Sequence, residues 1–253
     1  MTPEFGPSRT AIVTGGAKRI GAAITTALAA DGWHVLIHYR DSAEEAQALA
    51  ATLPKAGVVQ ADLADPAAAA HIVEATRGMP VPGLLVNSAS TFDFDSYDDF
   101  SVEGWDRHMA INARGPALLS RAFASAVPEG HGALIVNMLD AKLSQLNADF
   151  FTYTISKLAF AGLTELMARS LAPRHVRVNA IAPAVTLVSG PQSRNNFAQV
   201  HAMNPLARGV DVSDIVAALR FLVAVPTVTG HTITLDAGQR FMGLPRDVQF
   251  MEP

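Results

Sequence analysis

The sequence predicts a single doubly wound α/β domain, in which helices flank a central parallel sheet of about seven strands. Strand-like and helix-like segments alternate about six times along the chain, as is typical of a parallel sheet with connecting helices. The 253 residues are 49% hydrophobic, which is enough to bury one large core. No internal repeat or change of composition divides the chain, so we expect one domain over residues 9–238.

Composition argues against several classes of function. The net charge of -4 provides no basic field, so we expect no nucleic-acid partner. There are no cysteines, which excludes disulfides and thiolate chemistry. No run of about 18 apolar residues and no charged-then-apolar leader is present, so we expect a soluble cytoplasmic protein with no membrane partner. Residues 1–8 are rich in Pro and Gly and are predicted to be a disordered leader.

The first element is a strand that leads into a glycine turn. Thr10 to Thr14 is a β-branched run, Gly15 to Gly21 reads G-G-A-K-R-I-G, and Ala22 to Ala30 is a strong helix former. Glycines let the backbone approach a pyrophosphate, whose charge is met by the helix N-terminus. Because the pattern is not the full G-x-G-x-x-G, an ordinary βα turn is the alternative. Lys18 and Arg19 within the turn favour an anion.

The second predicted strand, Trp33 to His38, ends beside residues that discriminate between nucleotide cofactors. In a βαβ unit this strand end faces the adenosine ribose, where an acidic residue binds a free 2′-hydroxyl and an arginine accommodates a 2′-phosphate. Arg40 and Ser42, together with the two cations of the glycine turn, therefore favour NADP. Asp41 is acidic and one position late, and a solvated Arg40 is the alternative.

The later elements follow at regular intervals. Further strands are predicted at Gly57 to Gln60, Gly83 to Val86, Ala133 to Met138, Val176 to Ile181 and His231 to Leu235. Further helices are predicted up to Leu53 and at Pro66 to Thr76, Trp105 to Ala126, Phe151 to Leu171 and Val212 to Val223. Residues 183–210 have no clear period and contain three prolines, so we expect a mobile functional lid there.

Residues at two strand ends are candidates for ligand contacts. Asp62 and Leu63 follow the third strand, where an adenine edge can be held. The fourth strand ends in Asn87 to Thr91, whose small residues leave space for a ligand. Phe92 comes next and is either a loop-packing residue or an aromatic face for a flat substrate. The residues alone favour neither reading of Phe92.

A reaction centre is indicated by Tyr153 and Lys157, which lie four residues apart in a predicted helix and so project from one face. A fixed cation beside a phenol favours the phenolate and lowers the tyrosine pKa, as proton transfer near neutrality requires. Asp140 lies thirteen residues before Tyr153, at the end of a predicted strand. The alternative is an exposed helix face, because so short a motif recurs by chance.

In order and spacing these motifs resemble those of the short-chain dehydrogenase/reductases, from Thr10 to about Gly238. The resemblance implies a Rossmann-like fold and a nicotinamide cofactor. Its motif residues are Thr14, Gly15, Gly21, Asp62, Leu63, Asn87, Ser88, Ala89, Asn112, Tyr153, Lys157 and Pro183. Two departures are mild, since Ser88 stands where asparagine is commoner and Ala184 replaces a glycine.

Within that family the chain most resembles the pteridine reductases. The glycine turn lacks the usual central glycine, and the segment from His38 to Ala43 is similar to the cofactor-phosphate segment, with its arginine displaced to Arg40. An aspartate, Asp140, stands where serine is usual, and this exchange marks the subfamily. Residues 90–92 are similar to the segment whose serine contacts the pterin and whose phenylalanine stacks on it. The resemblance therefore implies a pterin substrate.

The resemblance also implies residue roles. Tyr153 is expected to donate a proton, Lys157 to hold the nicotinamide ribose and lower the tyrosine pKa, Asn112 to support a water chain, and Asp140 to contact the pterin or the tyrosine. We expect no metal. The substrate is expected to contact Ser90, Phe92, Asp140 and Tyr153. The expected NADPH contacts are Gly15, Lys18, Arg19, Ile20, His38, Tyr39, Arg40, Ser42, Asp62, Leu63, Asn87, Ser88, Ala89, Lys157, Pro183 and Thr186.

The resulting hypothesis is NADPH-dependent reduction of a dihydropterin (dihydrobiopterin, dihydromonapterin or dihydrofolate) to the tetrahydro form. The alternative is a reductase of a ketone, 3-oxoacyl or sugar substrate, with Asp140 incidental. An ionised Asp140 would repel a developing oxyanion, which argues against ketones. A homotetramer and a place in folate or pterin metabolism follow from the resemblance alone. The apolar tail, residues 239–253, is expected to pack on a neighbouring subunit or to rim the pocket.

Overall fold

The computed structural model describes residues 9–188 and 192–251. The predicted leader, residues 1–8, and residues 189–191 of the predicted lid lie outside the described part. The strands are β1 (Thr10–Val13), β2 (His34–Tyr39), β3 (Ala56–Gln60), β4 (Pro82–Asn87), β5 (Ala133–Met138), β6 (Val176–Pro183) and β7 (Thr232–Leu235). They form one seven-stranded parallel sheet in the order β3-β2-β1-β4-β5-β6-β7. The predicted fold class is confirmed.

Helices cover both faces of this sheet. They are α1 (Arg19–Ala30), α2 (Ala43–Thr52), α3 (Ala68–Glu74), α4 (Val102–Met109), α5 (Gly115–Ala126), α6 (Phe151–Leu171), α7 (Arg194–His201) and α8 (Val212–Ala224). Short 3-10 turns occur at Ala141–Ser144, Ala172–Arg174, Gln239–Met242 and Val248–Phe250. Among the helices described, none is long and apolar enough to cross a bilayer.

The strands form because their residues can be buried on both faces. Every residue of β5 is buried, as expected for a central strand of a parallel sheet with helices on each side. One hydrophobic cluster packs α1 and α8 on the sheet through Ile24, Leu28 and Leu219, and a second packs α3 and α5 through Ile72 and Phe123. Each such large side chain contributes about 1.5–3 kcal/mol by leaving water.

Two segments differ from the sequence prediction. The single helix expected at Trp105 to Ala126 is three pieces, because a π-helical segment, Ala110–Arg114, separates α4 from α5. Pro116 has no N–H to offer the carbonyl four residues earlier, so regular α-helix cannot continue there. The region 183–210, in which the sequence shows no clear period and for which a mobile functional lid was predicted, contains α7, in which Val200 is buried. Because α7 is short and buries few apolar residues, its sequence shows no clear helical periodicity.

The strand order places a crevice at one edge of the sheet. β1 lies between β2 and β4, so the connections that leave β1 and β4 diverge to opposite faces. The carboxyl ends of parallel strands meet at the same edge, which brings together the glycine turn after β1, the small residues after β4 and Asp140 after β5. This edge carries the candidate site.

Candidate active site

A cavity of about 760 Å³ opens along the carboxyl edge of the sheet. Its lining includes the glycine turn and the end of β2, and also Asp140, Tyr153, Leu244 and residues 246–249. Thr14 joins the two halves, because its hydroxyl accepts hydrogen bonds from the backbone N–H groups of Ser88 and Ala89 at 2.9 and 3.0 Å. The volume of the cavity lies within the range of small-molecule and cofactor sites, about 300–1,000 Å³.

The glycine turn brings backbone close to backbone. Gly15 has φ +61°, and a Cβ on it would lie 3.1 Å from the Cα of Ala89. A Cβ on Gly21 would lie 2.1 Å from the Gly15 carbonyl oxygen, so α1 can start at this point only with glycine there. The first turn of α1 lines the cavity at Arg19, Ile20 and Gly21, and the first N–H groups of a helix are available to an anion such as a pyrophosphate. The geometry fits a dinucleotide.

His38 holds this turn from below. Its Nδ1 accepts a hydrogen bond from the Gly15 N–H at 3.2 Å, and its Nε2 lies 3.0 Å from the Ala61 carbonyl oxygen. These partners require the proton on Nε2. Burial lowers the pKa of His38 to about 4, against smaller opposing effects of Ala61 and Asp62. His38 is therefore a neutral brace between β2, β3 and the glycine turn.

Cations line the ribose end of the cavity, but carboxylates already pair with them. Arg40 Nε lies 2.5 Å from an Asp41 oxygen, and Lys18 Nζ lies 2.5 Å from an oxygen of Glu45. Both pairs are substantially exposed, so each is weak and can open to receive a phosphate. The guanidinium of Arg19 donates to the Val188 carbonyl at 2.7 Å and so bridges the cavity to the segment after β6.

The reaction centre brings Asp140 and Tyr153 into direct contact. The Tyr153 hydroxyl donates to Asp140 Oδ2 at 2.8 Å, and the Lys142 N–H donates to Asp140 Oδ1 at 2.8 Å. Lys157 is buried and donates to the Met138 carbonyl at 2.8 Å. Its Nζ is 5.7 Å from the centre of the Tyr153 ring. Asp140, Tyr153 and Lys157, which are separated by thirteen and four residues in the sequence, thus form one cluster, because α6 packs beside the end of β5.

The pKa of Tyr153 shifts in the direction opposite to the sequence prediction. Lys157 was expected to lower the tyrosine pKa, but burial raises the pKa of Tyr153 well above its usual value, and the nearby Asp140 raises it further. Loss of water also raises the pKa of Asp140, although the Lys142 N–H and Tyr153 oppose this. Burial lowers the pKa of Lys157 to about 8. The phenol is therefore neutral, and the carboxyl group takes up a proton more readily than a surface aspartate.

Two predicted site residues do not line the cavity. The Asn112 amide is engaged with Thr91, Ser90 and the Ser156 hydroxyl, at 2.9–3.0 Å. The Asn87 amide donates to Ser120 and Asn137 in the core between β4 and β5. Both side chains therefore support the site from outside the cavity. The alternation of side chains along β4 directs that of Asn87 into the core, and the π-helical segment directs that of Asn112 towards Thr91 and Ser156. The other predicted cofactor and substrate residues line the cavity.

Aromatic side chains form the wall beside Tyr153. Phe92 stacks on Phe150 with ring centroids 4.1 Å apart and meets the edge of the Tyr153 ring at 4.6 Å. Phe150 in turn stacks with Phe250 at 5.8 Å. Phe92, for which the sequence left two readings open, both packs in this stack and lines the cavity.

Several cavity residues were not predicted. The polar and C-terminal ones include Arg107, Lys142, Gln145, Asn147, Arg240, Leu244, Arg246, Asp247, Val248 and Gln249. Most belong to the loop before α6 or to the C-terminal segment, which lie about a hundred residues apart in the chain. The only available signal was the apolar content of the tail, which indicated packing but not its partner.

Comparison with known proteins shows similarity over most of the chain. The family profile described as Enoyl-(Acyl carrier protein) reductase matches residues 15–240. The crystal structure of FolM Alternative dihydrofolate reductase 1 from Brucella canis, complexed with NADP, superposes with a TM-score of 0.88. That protein is 37% identical, and the match covers 92% of this chain and 94% of that chain.

Alignments with characterised relatives also cover most of both chains. Pteridine reductase 1 of Leishmania tarentolae is 32% identical over 276 residues, which covers 90% of this chain and 95% of the relative. The chloroplastic NADPH-dependent aldehyde reductase 2 of Arabidopsis thaliana is 29% identical over 253 residues, covering 91% and 93%. The relatives thus share this architecture but differ in the substrates that their names state.

Proposed function

The chain belongs to the short-chain dehydrogenase/reductase family and is an NADP-dependent oxidoreductase, and we propose that it reduces a dihydropterin to the tetrahydro form. Dihydrobiopterin, dihydromonapterin and dihydrofolate are the candidate substrates. The observation that carries the proposal is the 2.8 Å hydrogen bond between the Tyr153 hydroxyl and Asp140 at the cavity wall. The resemblance also leads us to propose a cytoplasmic homotetramer.

The Asp140–Tyr153 pair suits an imine more than a ketone. An aspartate offers acceptors to a ring edge rich in N–H donors, whereas beside a developing oxyanion its charge would repel. Reduction of a C=N bond adds hydride at carbon and a proton at nitrogen. Tyr153 holds that proton on its hydroxyl oxygen and gives it to the ring nitrogen. Asp140, whose pKa is raised, can then take up a proton from solvent and pass it to the tyrosinate across the same contact.

The remaining roles follow from position. Bound NADPH supplies the hydride. The glycine turn and the first turn of α1 would hold its pyrophosphate, Arg40 its 2′-phosphate, and Lys157 its nicotinamide ribose. Phe92 offers an aromatic face to a flat ring. For Asn112, whose amide is already engaged, we propose that the backbone carbonyl supports the water chain, because Pro116 has no N–H to bond it.

The test is NADPH oxidation by the purified protein with a dihydropterin, and with acetoacetyl thioester and NADH in parallel. We expect turnover with the dihydropterin and NADPH. In Asp140→Ser, kcat/KM for the pterin should fall about 10²- to 10⁴-fold, the usual range for a positioned acid or base, with little change in the Kd for NADPH. Near-normal kcat/KM in this variant would show that Asp140 lacks the assigned role.

A second candidate is reduction of a carbonyl or acyl-carrier substrate. The matching family profile is described by an acyl-carrier substrate, and the Arabidopsis relative is an aldehyde reductase. The assay with acetoacetyl thioester decides between the two substrates. Turnover of the thioester without turnover of the dihydropterin would change the proposed substrate but leave the proposed roles of Tyr153 and Lys157 in place.

A further inference from the structure

We propose that residues 244–250, here called the C-terminal strap, position this chain's own Asp140–Tyr153 pair and form the substrate end of its cavity. The strap is joined to the loop 141–150, which connects Asp140 to the helix that carries Tyr153. The effect that we expect on catalysis rests on the proposed function, whereas the effect that we expect on the structure of the loop does not depend on the substrate.

The strap is bound to both ends of that loop. At the first end, Lys142 Nζ lies 3.3 Å from Asp247 Oδ2, and both side chains are largely buried. At the second end, Arg246 makes three hydrogen bonds of 2.8–3.0 Å to the carboxylate of Asp149, which is also buried. Asp149 additionally accepts from the Asp247 N–H at 2.8 Å. Bidentate charge-assisted pairs of this kind fix geometry as well as energy.

The contacts continue into the reaction centre. The Lys142 N–H holds Asp140, while the Lys142 ammonium also donates to Asn147 Oδ1 and to the Asp149 carbonyl, at 2.5 and 2.7 Å. One residue therefore links the strap, the loop and the catalytic carboxylate. If the strap were released, Lys142 would lose its carboxylate partner, and the loop that sets the Asp140–Tyr153 distance would lose both anchors.

The start of α6 depends on the same contacts. Phe150, three residues before Tyr153, has φ 54° and ψ 54°, a left-handed conformation that costs free energy in a non-glycine residue. Such a conformation persists only where surrounding structure holds it. Here Phe92 and Phe250 stack with the Phe150 ring, and Arg246 grips the preceding residue, Asp149. The strap thus holds the strained residue from which α6 begins.

The experiment compares Arg246→Gln with Arg169→Gln in the full-length protein with NADP bound. Arg169 pairs with Glu165 on the exposed face of α6, so this control removes an equivalent ion pair away from the cavity. We expect amide hydrogen exchange in residues 140–153 to be about tenfold faster in Arg246→Gln, as loss of a charge-assisted hydrogen bond predicts, and unchanged in the control. Equal exchange in the two variants would overturn the proposal.

Kinetics form the second arm. In Arg246→Gln, kcat/KM for the dihydropterin should fall about 10- to 100-fold, as expected for slight misplacement of reacting groups, while the Kd for NADPH stays within about twofold. An equal loss of NADPH affinity would contradict a substrate-side role. If wild-type protein reduces no dihydropterin, the proposed function fails, and the exchange arm alone decides the role of the strap.

A charge-only variant guards against misfolding. Asp247→Asn keeps an oxygen for Lys142 but removes the negative charge that acts on Asp140, Tyr153, Lys142 and Arg246. Because Asp247 raises the pKa values of Asp140 and Tyr153, we expect the pH profile of kcat to move to lower pH. A purely structural strap would leave that profile in place, and this result would overturn the positioning role.

Discussion

At the scale of single residues, the proposed chemistry depends on three groups, Asp140, Tyr153 and Lys157, whose pKa values are shifted mainly by burial. Tyr153 stays neutral because burial and Asp140 raise its pKa, whereas burial lowers the pKa of Lys157 to about 8. Of these two groups, the Lys157 ammonium therefore titrates nearer to neutral pH than the Tyr153 phenol. Spacing in the sequence identified these residues, but it misjudged the direction of the tyrosine shift because it contains no information on burial.

A pH profile tests the assignment of Lys157. We expect kcat/KM for NADPH, which reports ionisations of the free enzyme, to be constant below and to fall above about pH 8 as Lys157 loses its charge. In Lys157→Met the activity should be low and this alkaline limb absent. A wild-type profile that stays level up to about pH 10 would contradict the assignment, since only the phenol would then remain to titrate.

His38 makes a prediction about stability. Its pKa is about 4 in the folded protein against 6.5 in the unfolded chain, so the unfolded chain binds an extra proton between these pH values. The stabilisation is complete above pH 6.5 and is lost as the pH falls towards 4, by on the order of 3 kcal/mol.

Urea denaturation of the wild type, His38→Gln and the exposed-residue control His131→Gln between pH 4.5 and 7 measures this effect. The free energy of unfolding should depend less steeply on pH in His38→Gln than in the other two proteins. If the free energy of unfolding depended on pH equally in all three proteins, His38 would not be a buried histidine held neutral in the folded state.

At the scale of elements, the glycine turn and α1 must touch. A Cβ at Gly21 would lie 2.1 Å from the Gly15 carbonyl oxygen, and no flexible side chain is there to yield. In Gly21→Ala, α1 should therefore move away from the turn, with a lower free energy of unfolding and more than about tenfold weaker NADPH binding, equivalent to about 1.4 kcal/mol.

Gly162→Ala is the matched control. Gly162 lies within α6, where an added Cβ has no atom within 4 Å, so alanine should raise the free energy of unfolding by about 0.5–1 kcal/mol through helix propensity. Chemical denaturation and NADPH fluorescence titration of both variants provide the comparison. A Gly21→Ala protein that binds NADPH as tightly as Gly162→Ala would show that the close approach is dispensable.

The π-helical segment between α4 and α5 is the element that the sequence prediction missed. Apolar periodicity continued through Asn112, so one helix was expected, and Pro116 was the signal that should have interrupted it. The strap was missed for another reason. Its partners, Lys142 and Asp149, become neighbours only when the chain returns to the cavity after β7.

At the scale of the whole molecule, cofactor binding should stabilise the fold. NADP at 100 times its Kd is expected to add about 2.7 kcal/mol to the free energy of unfolding, and NAD at the same concentration much less. In Arg40→Ala this difference should shrink, because the 2′-phosphate loses its cation, whereas the exposed-pair control Arg77→Ala should retain it. Thermal denaturation with each dinucleotide measures the shifts. Equal shifts by NADP and NAD in the wild type would remove Arg40 from cofactor selection.

The sequence by itself determined the doubly wound fold, the cofactor turn and the identity of the Asp140, Tyr153 and Lys157 cluster. These features depend on local periodicity and on short-range spacing, which a chain carries in its order. Tertiary structure alone decided that Asn87 and Asn112 brace the site from behind, that burial raises the tyrosine pKa, and that the C-terminal strap lines the cavity. Those features depend on which distant segments meet and on how much water they exclude, and neither is encoded in local pattern.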